Sequence, residues 1–303
     1  MKKTALVLSV TSIFLFGILQ ATSAQKGKGR NVTMSTGSHK EITDCDQLRM
    51  RIGDGETARS ELMQTIPRSA VSLLRVRPPM NGGVQIHGSN ANEYVVKACL
   101  AAGGDDLAQA QELLKDLRLS TENGEVSVEG PNSKEWVAFL VIQAPNGSNL
   151  DLTAANGPIG VSRFSGTVKV LGVNGPVTLD EVSGSAEVEV QNGPLTVRGG
   201  GGDFRLNAQN GPLTVALAGY EWSGSLEGHT QNGPLTLQIP ENYVSAVLVD
   251  TSKHSPVTCR AGQCAQAVRT WDNPNRIQFG GSNPVVRLST VNGPVTIVSA
   301  ANN

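Results

Sequence analysis

The segment VQNGPLTVRG, residues 190–199, recurs along the chain and decides its fold. Close copies read VNGPVTLD at 173–180, AQNGPLTVA at 208–216, TQNGPLTLQ at 230–238 and VNGPVTIV at 291–298. The tripeptide Asn-Gly-Pro begins at Asn156, Asn174, Asn192, Asn210, Asn232 and Asn292, and a degenerate copy, HSPVTC, begins at His254. The first four asparagines are 18 residues apart, so the repeating unit is longer than the turn itself.

Each repeat has an alternating strand before the turn and an apolar-Thr-apolar strand after it. A unit this short cannot bury its own apolar face and must stack on its neighbours, which predicts an all-β, parallel β-solenoid (β-helix-like) fold. Alternation directs every second side chain inward. The expected inward columns are Val168, Ala186, Phe204 and Leu226; Val170, Val188 and Leu206, with a gap at Gly228; Val177, Leu195, Leu213 and Leu235; and Leu179, Val197, Val215 and Leu237.

Charges on the outward side support a parallel register. Lys169, Glu187, Arg205 and Glu227 occupy the same position in four successive repeats, and their signs alternate. Parallel strands in register would place each of them about 4.8 Å from a side chain of opposite charge.

The turn residues have separate physical roles. Asn-Gly tolerates a positive φ in a tight turn, and proline fixes φ where the next strand begins. We expect the six asparagines to stack their side-chain amides along the axis, as other stacked strands do.

The N-terminus predicts export. Two lysines, an apolar run and small residues form a bacterial signal peptide over residues 1–24, which indicates a protein of the periplasm, cell surface or medium. No other stretch is long and apolar enough to span a bilayer, so no transmembrane anchor is expected after signal removal. Removal leaves 23 basic against 26 acidic residues, a net charge of −3, which argues against a nucleic-acid partner. No cofactor is predicted.

The remaining chain divides into three expected regions. Residues 25–44 are predicted to be a flexible linker, residues 45–145 a β-rich N-terminal capping region, and residues 146–303 the solenoid repeats. The capping region contains one predicted helix, DDLAQAQELLKDL at 105–117, capped by Asp105 or Asp106. The last repeat, NPVVRLSTVNGPVTIV at 283–298, is expected to close the far end of the stack.

Four cysteines indicate two disulfides in an exported protein. Four cysteines allow three pairings, and closeness in sequence favours pairing Cys259 with Cys264 and Cys45 with Cys99. A metal site would recruit His254 and His229, but the spacing matches no common zinc pattern. We therefore predict disulfides and no metal.

The export signal, the entry segment VIQAPNGSNLDLTAANG at 141–157 and the stacked NGPLTV strands resemble the bacterial "putative adhesin" domain family of unknown function. The resemblance covers roughly residues 70–300. It implies a β-solenoid outside the cytoplasm with an adhesin-like role, and it supplies no catalytic residue.

Two kinds of surface residue, carboxylates and threonines, bear on catalysis and on water ordering. A polysaccharide-acting enzyme needs clustered carboxylates, and Asp180 with Glu181 and Glu187 is the best start. The position of Asp180 becomes Arg198, Ala216 and Gln238 in later repeats, so no acidic column forms and no catalytic residue is predicted. The outward threonines form a row that would suit either ice binding or an ordinary strand surface: Thr178, Thr196, Thr214, Thr236, Thr258 and Thr296.

Aromatic residues give the candidate ligand site. Longer connections in the later repeats carry Tyr220, Trp222, Tyr243 and Trp271, which would gather at one edge of the stack. They would either anchor a glycan or a protein partner, or fold back and cover the core. The sequence thus predicts an exported, non-enzymatic, adhesin-like protein whose partner is a glycan or an envelope protein. The alternatives are a polysaccharide-acting β-helix enzyme and a self-assembling envelope scaffold.

Overall fold

The structure, a computed structural model, describes residues 32–35, 41–252, 255–270 and 273–300. The predicted signal peptide and part of the predicted linker lie outside these ranges. The linker prediction is wrong for the described part of 25–44, because Val32–Ser35 pair with Arg49–Ile52 and Ile42 is buried. Within them the protein is mostly β, as predicted, with one α-helix, α1 (Leu107–Lys115). The strands are β1 (Val32–Ser35), β2 (Arg49–Ile52), β3 (Glu56–Pro67), β4 (Leu74–Arg77), β5 (Gly83–Ser89), β6 (Glu93–Gly104), β7 (Arg118–Ser120), β8 (Glu125–Glu129), β9 (Trp136–Pro145), β10 (Ser148–Asn156), β11 (Ile159–Ser162), β12 (Ser165–Asn174), β13 (Val177–Asp180), β14 (Ser183–Asn192), β15 (Leu195–Arg198), β16 (Gly201–Asn210), β17 (Leu213–Ala216), β18 (Leu226–Asn232), β19 (Leu235–Ile239), β20 (Val247–Thr251), β21 (Val257–Cys259), β22 (Val268–Thr270), β23 (Asn273–Phe279), β24 (Val286–Asn292) and β25 (Val295–Ser299).

Two large sheets contain nearly all of these strands. Among the described residues, sheet 1 has twelve strands in the order β22-β23-β20-β24-β18-β16-β14-β12-β10-β4-β8-β7. Sheet 2 has eleven, in the order β21-β25-β19-β17-β15-β13-β11-β5-β9-β6-β3. The chain passes from sheet 1 to sheet 2 at each Asn-Gly-Pro turn. We call one sheet 1 strand and the sheet 2 strand that follows it a rung.

Successive rungs pair in parallel and in register. Asn174 lies opposite Asn156 on one side and Asn192 on the other, and the pairing continues through Asn210 and Asn232. Strands β11, β13, β15, β17 and β19 show the same alignment in sheet 2. The predicted parallel register is confirmed at these positions.

The predicted inward columns form the core between the two sheets. Phe204 and Leu206 are each about 1% exposed, and the other members of the four columns are buried with them. Each well-buried apolar side chain stabilises the fold by about 1.5–3 kcal/mol relative to exposure. Because every rung contributes several such side chains, the apolar contacts between rungs form one continuous cluster.

The turn asparagines form a ladder of side-chain hydrogen bonds along one edge of the stack, as predicted. The Nδ2 of each asparagine donates to the Oδ1 of the asparagine in the neighbouring rung, at 2.9–3.0 Å from Asn174 through Asn292. The ladder also extends back to Asn81, whose Oδ1 accepts from Asn156 at 3.2 Å. It therefore ties seven rungs together.

Asn81 marks a rung that the sequence analysis did not recognise. The segment MNGGVQIHG at 80–88 has Asn-Gly-Gly where later repeats have Asn-Gly-Pro. Its strands β4 and β5 pair in parallel with β10 and β11. Stacking thus begins inside residues 45–145, which were expected to form a cap.

The alternation of outward charges is longer than the four residues from which it was predicted. Aligned positions across eight strands of sheet 1 alternate in sign without exception: Glu125, Arg75, Asp151, Lys169, Glu187, Arg205, Glu227 and Arg287. Lys169 and Glu187 form an exposed ion pair at 3.7 Å. Exposed pairs stabilise little individually, but a slip by one strand position would lose the whole pattern.

The N-terminal end is closed by elements that the repeat does not predict. Strand β9 pairs in parallel with β5. Strands β6 and β3 then continue sheet 2 in antiparallel pairs, and α1 packs beside β6 and β3. Asp106 caps α1, its carboxylate accepting from the backbone N–H of Gln109 at 2.8 Å. Ala110 and Leu117 are buried, whereas Leu107 is 48% exposed.

A small second core lies on the outer side of β6 and β9. Ile42, Leu48, Met50 and Ile52 pack there against residues that include Phe139. The disulfide Cys45–Cys99 links this outer layer to β6. The second disulfide is Cys259–Cys264, so the pairing is the one that the sequence favours.

The prediction that the last repeat closes the stack is wrong. Strand β24 pairs in parallel with both β18 and β20, and β25 pairs with both β19 and β21. The last rung in sequence is therefore inserted between two earlier rungs. Side chains explain this order, because Arg287 continues the charge alternation beside Glu227, whereas the corresponding residue of β20 is Leu248.

We expect Asn192→Ala to lower the free energy of unfolding by about 1–3 kcal/mol. The substitution removes two side-chain hydrogen bonds, to Asn174 and from Asn210, each worth roughly 0.5–1.5 kcal/mol. Urea denaturation measures the change. The neighbouring Gln191→Ala is the control, and we expect it to stay within about 0.5 kcal/mol because Gln191 is exposed. Equal effects of the two substitutions would show that the ladder does not stabilise the stack.

Candidate functional site

The predicted aromatic edge is not one exposed surface. Trp222 and Tyr243 are only 5% and 6% exposed, so both cover the core, which was one of the two predicted alternatives. Trp222 contacts the ring of Phe204 edge-on at a centroid distance of 5.2 Å, and its Nε1 donates to the carbonyl of Gly202 at 2.9 Å. Burial raises the pKa of Tyr243 to about 12. The prediction that these two residues are exposed anchors is wrong.

Tyr220 alone of the described candidates is open to solvent. It is 67% exposed and lies beside Val244, which is 63% exposed and whose N–H donates to the Tyr220 carbonyl at 2.7 Å. Trp271 lies outside the described residues. Tyr220 and Val244 therefore form a small apolar patch on the longer connections.

The carboxylates named as an enzymatic possibility are separated by the fold. Asp180 ends β13 on the outer face of sheet 2, whereas Glu187 points outward from β14 in sheet 1. Glu181 follows Asp180 in a left-handed turn conformation with φ of 52°. Asp180 and Glu187 thus lie on different faces and share no cleft.

The metal alternative finds no support in the described part of the chain. Within it, only Asp44, Cys45 and Glu61 bring three potential ligand atoms close together. Cys45 is bonded to Cys99, and Asp44 forms an ion pair with Lys97 at 2.9 Å. His229 instead hydrogen-bonds Ser289 at 2.9 Å, and His254 lies outside the described residues.

The threonine row runs along the outer face of sheet 2 and stops at a glycine. Because of the inserted rung, its spatial order is Thr178, Thr196, Thr214, Thr236, Thr296 and Thr258. On the other side of Thr178, the same position is Gly160 and then Gln85. Gly160 therefore leaves a gap in an otherwise regular surface.

A groove of about 300 Å³ lies over this gap. Gln85, Thr178, Asp180 and Arg198 line it with polar groups, and Pro158 and Pro176 with apolar rings. A Cβ atom on Gly160 would come within 2.1 Å of Gln85 Oε1, so the Gln85 amide occupies the space that a side chain at 160 would need. The Gln85 Nε2 donates to Ser162 Oγ at 3.2 Å, which directs the amide across the floor of the groove.

The outer layer forms one wall of the groove. Glu41 and Ile42 line it, and both carboxylate oxygens of Glu41 accept from the Arg163 guanidinium, at 2.9 and 2.7 Å. His87 holds the wall from below, because its Nε2 donates to the Ile42 carbonyl at 2.7 Å while its Nδ1 lies 2.9 Å from Ser162 Oγ. The wall is therefore attached to the sheet by directed polar contacts.

Charges around the groove balance. Burial acts to raise the pKa of Glu41, but hydrogen bonds from Arg163 and Ser162 outweigh it and hold the pKa below its usual range. Glu41 is thus a carboxylate beside Arg163, and Asp180 lies in register with Arg198 on the next strand. Such a groove favours an uncharged ligand with many hydrogen-bonding groups over a strongly charged one.

A second groove, of about 320 Å³, lies on the outer face of sheet 1. Arg205, Glu227 and Arg287 line it, and these are consecutive members of the alternating charge column. Its charges belong to the repeating column, whereas the Gly160 groove combines a missing side chain with a wall from outside the repeat, so we regard the Gly160 groove as the candidate functional site.

Asp180 and Thr178 were named from the sequence, as a possible catalytic carboxylate and as part of the threonine row, but nothing in the sequence joined them to the other residues of the groove. The available signal was the single glycine at the row position between Gln85 and Thr178. It became visible only once the Asn-Gly-Gly segment at 81–83 was aligned with the later turns. Nothing in the repeat predicts that Glu41, which is 122 residues from its partner Arg163, forms the wall.

No protein-family model matches this chain, and no curated protein matches it. In fold it is similar to a "putative cell adhesion protein" from Clostridium sporogenes, with 11% identity, a TM-score of 0.35, and coverage of 80% of this chain and 100% of that chain. It is also similar to a "putative adhesin" from Bacteroides fragilis, with 8% identity, a TM-score of 0.36, and coverage of 80% and 97%.

A third structure, a "putative adhesin" from Parabacteroides merdae, has 7% identity, a TM-score of 0.32, and coverage of 82% and 98%. At such identities and TM-scores the likeness identifies no ligand or partner of this chain. Among the described residues, no helix has the length and apolar character needed to cross a membrane.

Trp222→Ala and Tyr220→Ala test whether each aromatic side chain covers the core or is exposed to solvent. We expect Trp222→Ala to cost about 3–5 kcal/mol of unfolding free energy, because it leaves a cavity beside Phe204. Tyr220→Ala should change it by about 0.5 kcal/mol or less, because the side chain is exposed. Chemical denaturation of both variants checks this, and a similar loss in both would contradict the burial difference.

As the pH falls, we expect the wall of the groove to lose stability at a higher pH than the stacked rungs do. Hydrogen bonds from Lys97 and from the Cys45 N–H lower the pKa of Asp44, as those from Arg163 and Ser162 lower that of Glu41. A lowered folded pKa gives stability that is present above the ordinary carboxyl pKa of about 4 and is lost as pH falls through the folded value.

We therefore expect amide protection of residues 41–52 to fall faster below about pH 4 than that of β14 to β16. The double variant Glu41→Gln, Asp44→Asn should show weaker protection already at neutral pH and little further loss. Hydrogen exchange, corrected for the intrinsic rate at each pH, measures both. A double variant with the pH dependence of the original chain would refute this origin.

Proposed function

We propose that this chain is an exported, non-enzymatic, adhesin-like β-solenoid that binds a saccharide in the groove over Gly160. One observation carries the proposal. Gln85, Thr178, Asp180 and Arg198 line one groove over Gly160, beside the rings of Pro158 and Pro176.

The chemistry of the lining fits an uncharged sugar. The Asp180 carboxylate accepts hydrogen bonds, the Arg198 guanidinium donates them, and the Thr178 hydroxyl does both, which matches the hydroxyl groups of a sugar ring. Proline rings offer the apolar contact that the C–H faces of a sugar require. Because the charges balance, an anionic ligand gains no net attraction.

Export and architecture are supported separately. Two disulfides favour a location outside the reducing cytoplasm. Parallel in-register pairing through seven rungs supports winding as a single solenoid from β4 to β25. We keep residues 1–24 as signal, 45–145 as a cap that includes stacked strands, and 146–303 as the repeats. We no longer regard the whole of 25–44 as a linker, because 32–35 form β1 and Glu41 and Ile42 form the wall of the groove.

Binding is favoured over hydrolysis by the state of Glu41. The groove brings two carboxyl groups, Glu41 and Asp180, to one site, as a glycoside hydrolase would need. A general acid in such an enzyme has a raised pKa, whereas the pKa of Glu41 is lowered and both of its oxygens are held by Arg163. This carboxylate is suited to hold the wall.

The exposed patch of Tyr220 and Val244 favours a second candidate function, contact with an envelope protein. Exposed aromatic residues commonly anchor protein interfaces. Tyr220→Ala would weaken capture of such a partner and leave saccharide binding unchanged, because the patch does not line the groove.

Gly160→Thr tests the saccharide site directly. Gly160 has an ordinary strand conformation, and Thr would continue the row, so we expect the fold to be kept to within about 1 kcal/mol. The new side chain displaces the Gln85 amide and fills the groove. We expect affinity for saccharides retained on a glycan array to fall at least about tenfold, which corresponds to about 1.4 kcal/mol in calorimetry.

Asp180→Asn changes the shape of the groove less than Gly160→Thr does, and Glu189→Gln is its control. Asp180→Asn should weaken binding by roughly tenfold or more by removing a charge-assisted hydrogen bond. Glu189→Gln makes the same charge change on the exposed face of sheet 1 and should leave binding unchanged. Binding that survives Gly160→Thr would exclude the groove, and release of new reducing ends would favour the enzymatic alternative.

A further inference from the structure

The final repeat, residues 286–299, occupies a slot that its position in the sequence does not predict. Strand β24 lies between β18 and β20, and β25 lies between β19 and β21, all parallel. From β10/β11 to β18/β19 the preceding rungs are stacked in the order in which they occur in the chain. The rungs β18/β19 and β20/β21 form the two walls of this slot. Both walls precede the final repeat in the sequence, so the segment that fills the slot is synthesised after both of them.

One wall of the slot is specific for the final repeat. Leu288 fills the space over Gly228, where a Cβ atom would approach Leu288 Cδ2 to 2.7 Å. Ser289 Oγ lies 2.9 Å from His229 Nδ1, and Asn292 continues the amide ladder to Asn232 at 2.9 Å. These contacts require this repeat in this register.

The other wall also bonds the final repeat. The N–H of Ser252 donates to the Thr290 carbonyl at 3.3 Å, and that of Arg260 to the Ile297 carbonyl at 2.8 Å. If the repeat is absent, two sheet edges are left unpaired, and such edges recruit strands of matching pattern. A second copy of the chain carries a segment that matches both walls.

A short glycine-containing connection attaches the final repeat to the rest of the chain. Residues 280–285, GGSNPV, join β23 to β24, and Gly280 has a left-handed φ of +84°. A segment that completes a stack through a short hinge is the arrangement from which domain swapping arises. The slot remains open until the last residues are in place, so a second copy competes for it during folding.

We infer that two copies of this chain exchange residues 286–299 reciprocally and form a dimer in which each final repeat fills the slot of the other copy. Every contact of the slot is kept in the exchanged form. Only residues 280–285 change conformation. The dimer does not depend on the proposed saccharide site, and it would present two grooves on one particle.

Single-cysteine variants of the full chain test the exchange. Glu227 and Arg287 are aligned neighbours on β18 and β24, and both point outward. One copy carries Glu227→Cys and another carries Arg287→Cys, and the two are refolded together and treated with a short thiol cross-linker. We expect a covalent dimer, because exchange brings the two positions of different copies together.

Two controls make the result decisive. A mixture of Glu187→Cys and Arg205→Cys, aligned neighbours in the same charge column, should give no dimer above background, because β14 and β16 are not exchanged. A single chain carrying both Glu227→Cys and Arg287→Cys shows that the pair is close enough to react. If that chain cross-links but the mixture gives only monomers, exchange is refuted.

The unmodified chain gives an independent measurement. Light scattering after refolding at increasing protein concentration should show a growing dimer fraction. Deletion of Gly281 and Ser282 should raise that fraction severalfold, because a shorter hinge disfavours the closed monomer. A strictly monomeric chain at every concentration, with no effect of the hinge deletion, would overturn the inference.

Discussion

The stack depends on the close approach of backbones at the Asn-Gly-Pro turn. A Cβ atom on Gly193, Gly211 or Gly233 would lie only 2.0–2.3 Å from the carbonyl oxygen of the corresponding glycine in the previous rung. No side chain fits there, so a rung must place its glycine over the glycine beneath it. That constraint fixes the register, and the register in turn aligns the asparagine amides, the inward columns and the outward charges. The alternating charge column and the amide ladder therefore follow from a steric condition at the turn, and each adds a smaller penalty for slipping.

Local chemistry made much of this predictable from the sequence. The tripeptide predicted the turn, alternation predicted which of Phe204, Arg205 and Leu206 point inward, and the charges predicted parallel pairing. The segment at 81–83 escaped because it has Gly83 where later turns have proline, although the asparagine and the following apolar alternation are intact. The burial of Trp222 also follows from local rules, since a large aromatic side chain beside the end of the core gains more by covering Phe204 than by facing water.

The order of the rungs could not be predicted, and the reason is physical. Every rung presents the same turn, the same apolar columns and the same threonine row, so any rung can pair with any other at nearly the same free energy. Only positions that differ between rungs choose the order. Gly228 needs a large inward neighbour and receives Leu288, and Glu227 needs a positive neighbour and receives Arg287. The repeated residues thus determine the register in which two rungs pair, whereas the residues that differ between rungs determine which rungs are adjacent.

The same reasoning explains where a binding site arises on so regular a surface. Gly228 and Gly160 both remove a side chain from a column, but they do so on opposite sides of their sheets. The inward gap at Gly228 is filled by apolar side chains from a neighbouring rung, because the core leaves no room for water. The outward gap at Gly160 faces water and need not be filled by apolar side chains, and the Gln85 amide extends across it. Glu41, held by Arg163 from outside the repeat, then gives the gap a wall. A selective binding site on this surface therefore requires two departures from the repeat at one place. One is a missing side chain on the outer face, and the other is a non-repeating segment fixed beside it. The described surface of sheet 2 combines both at this groove.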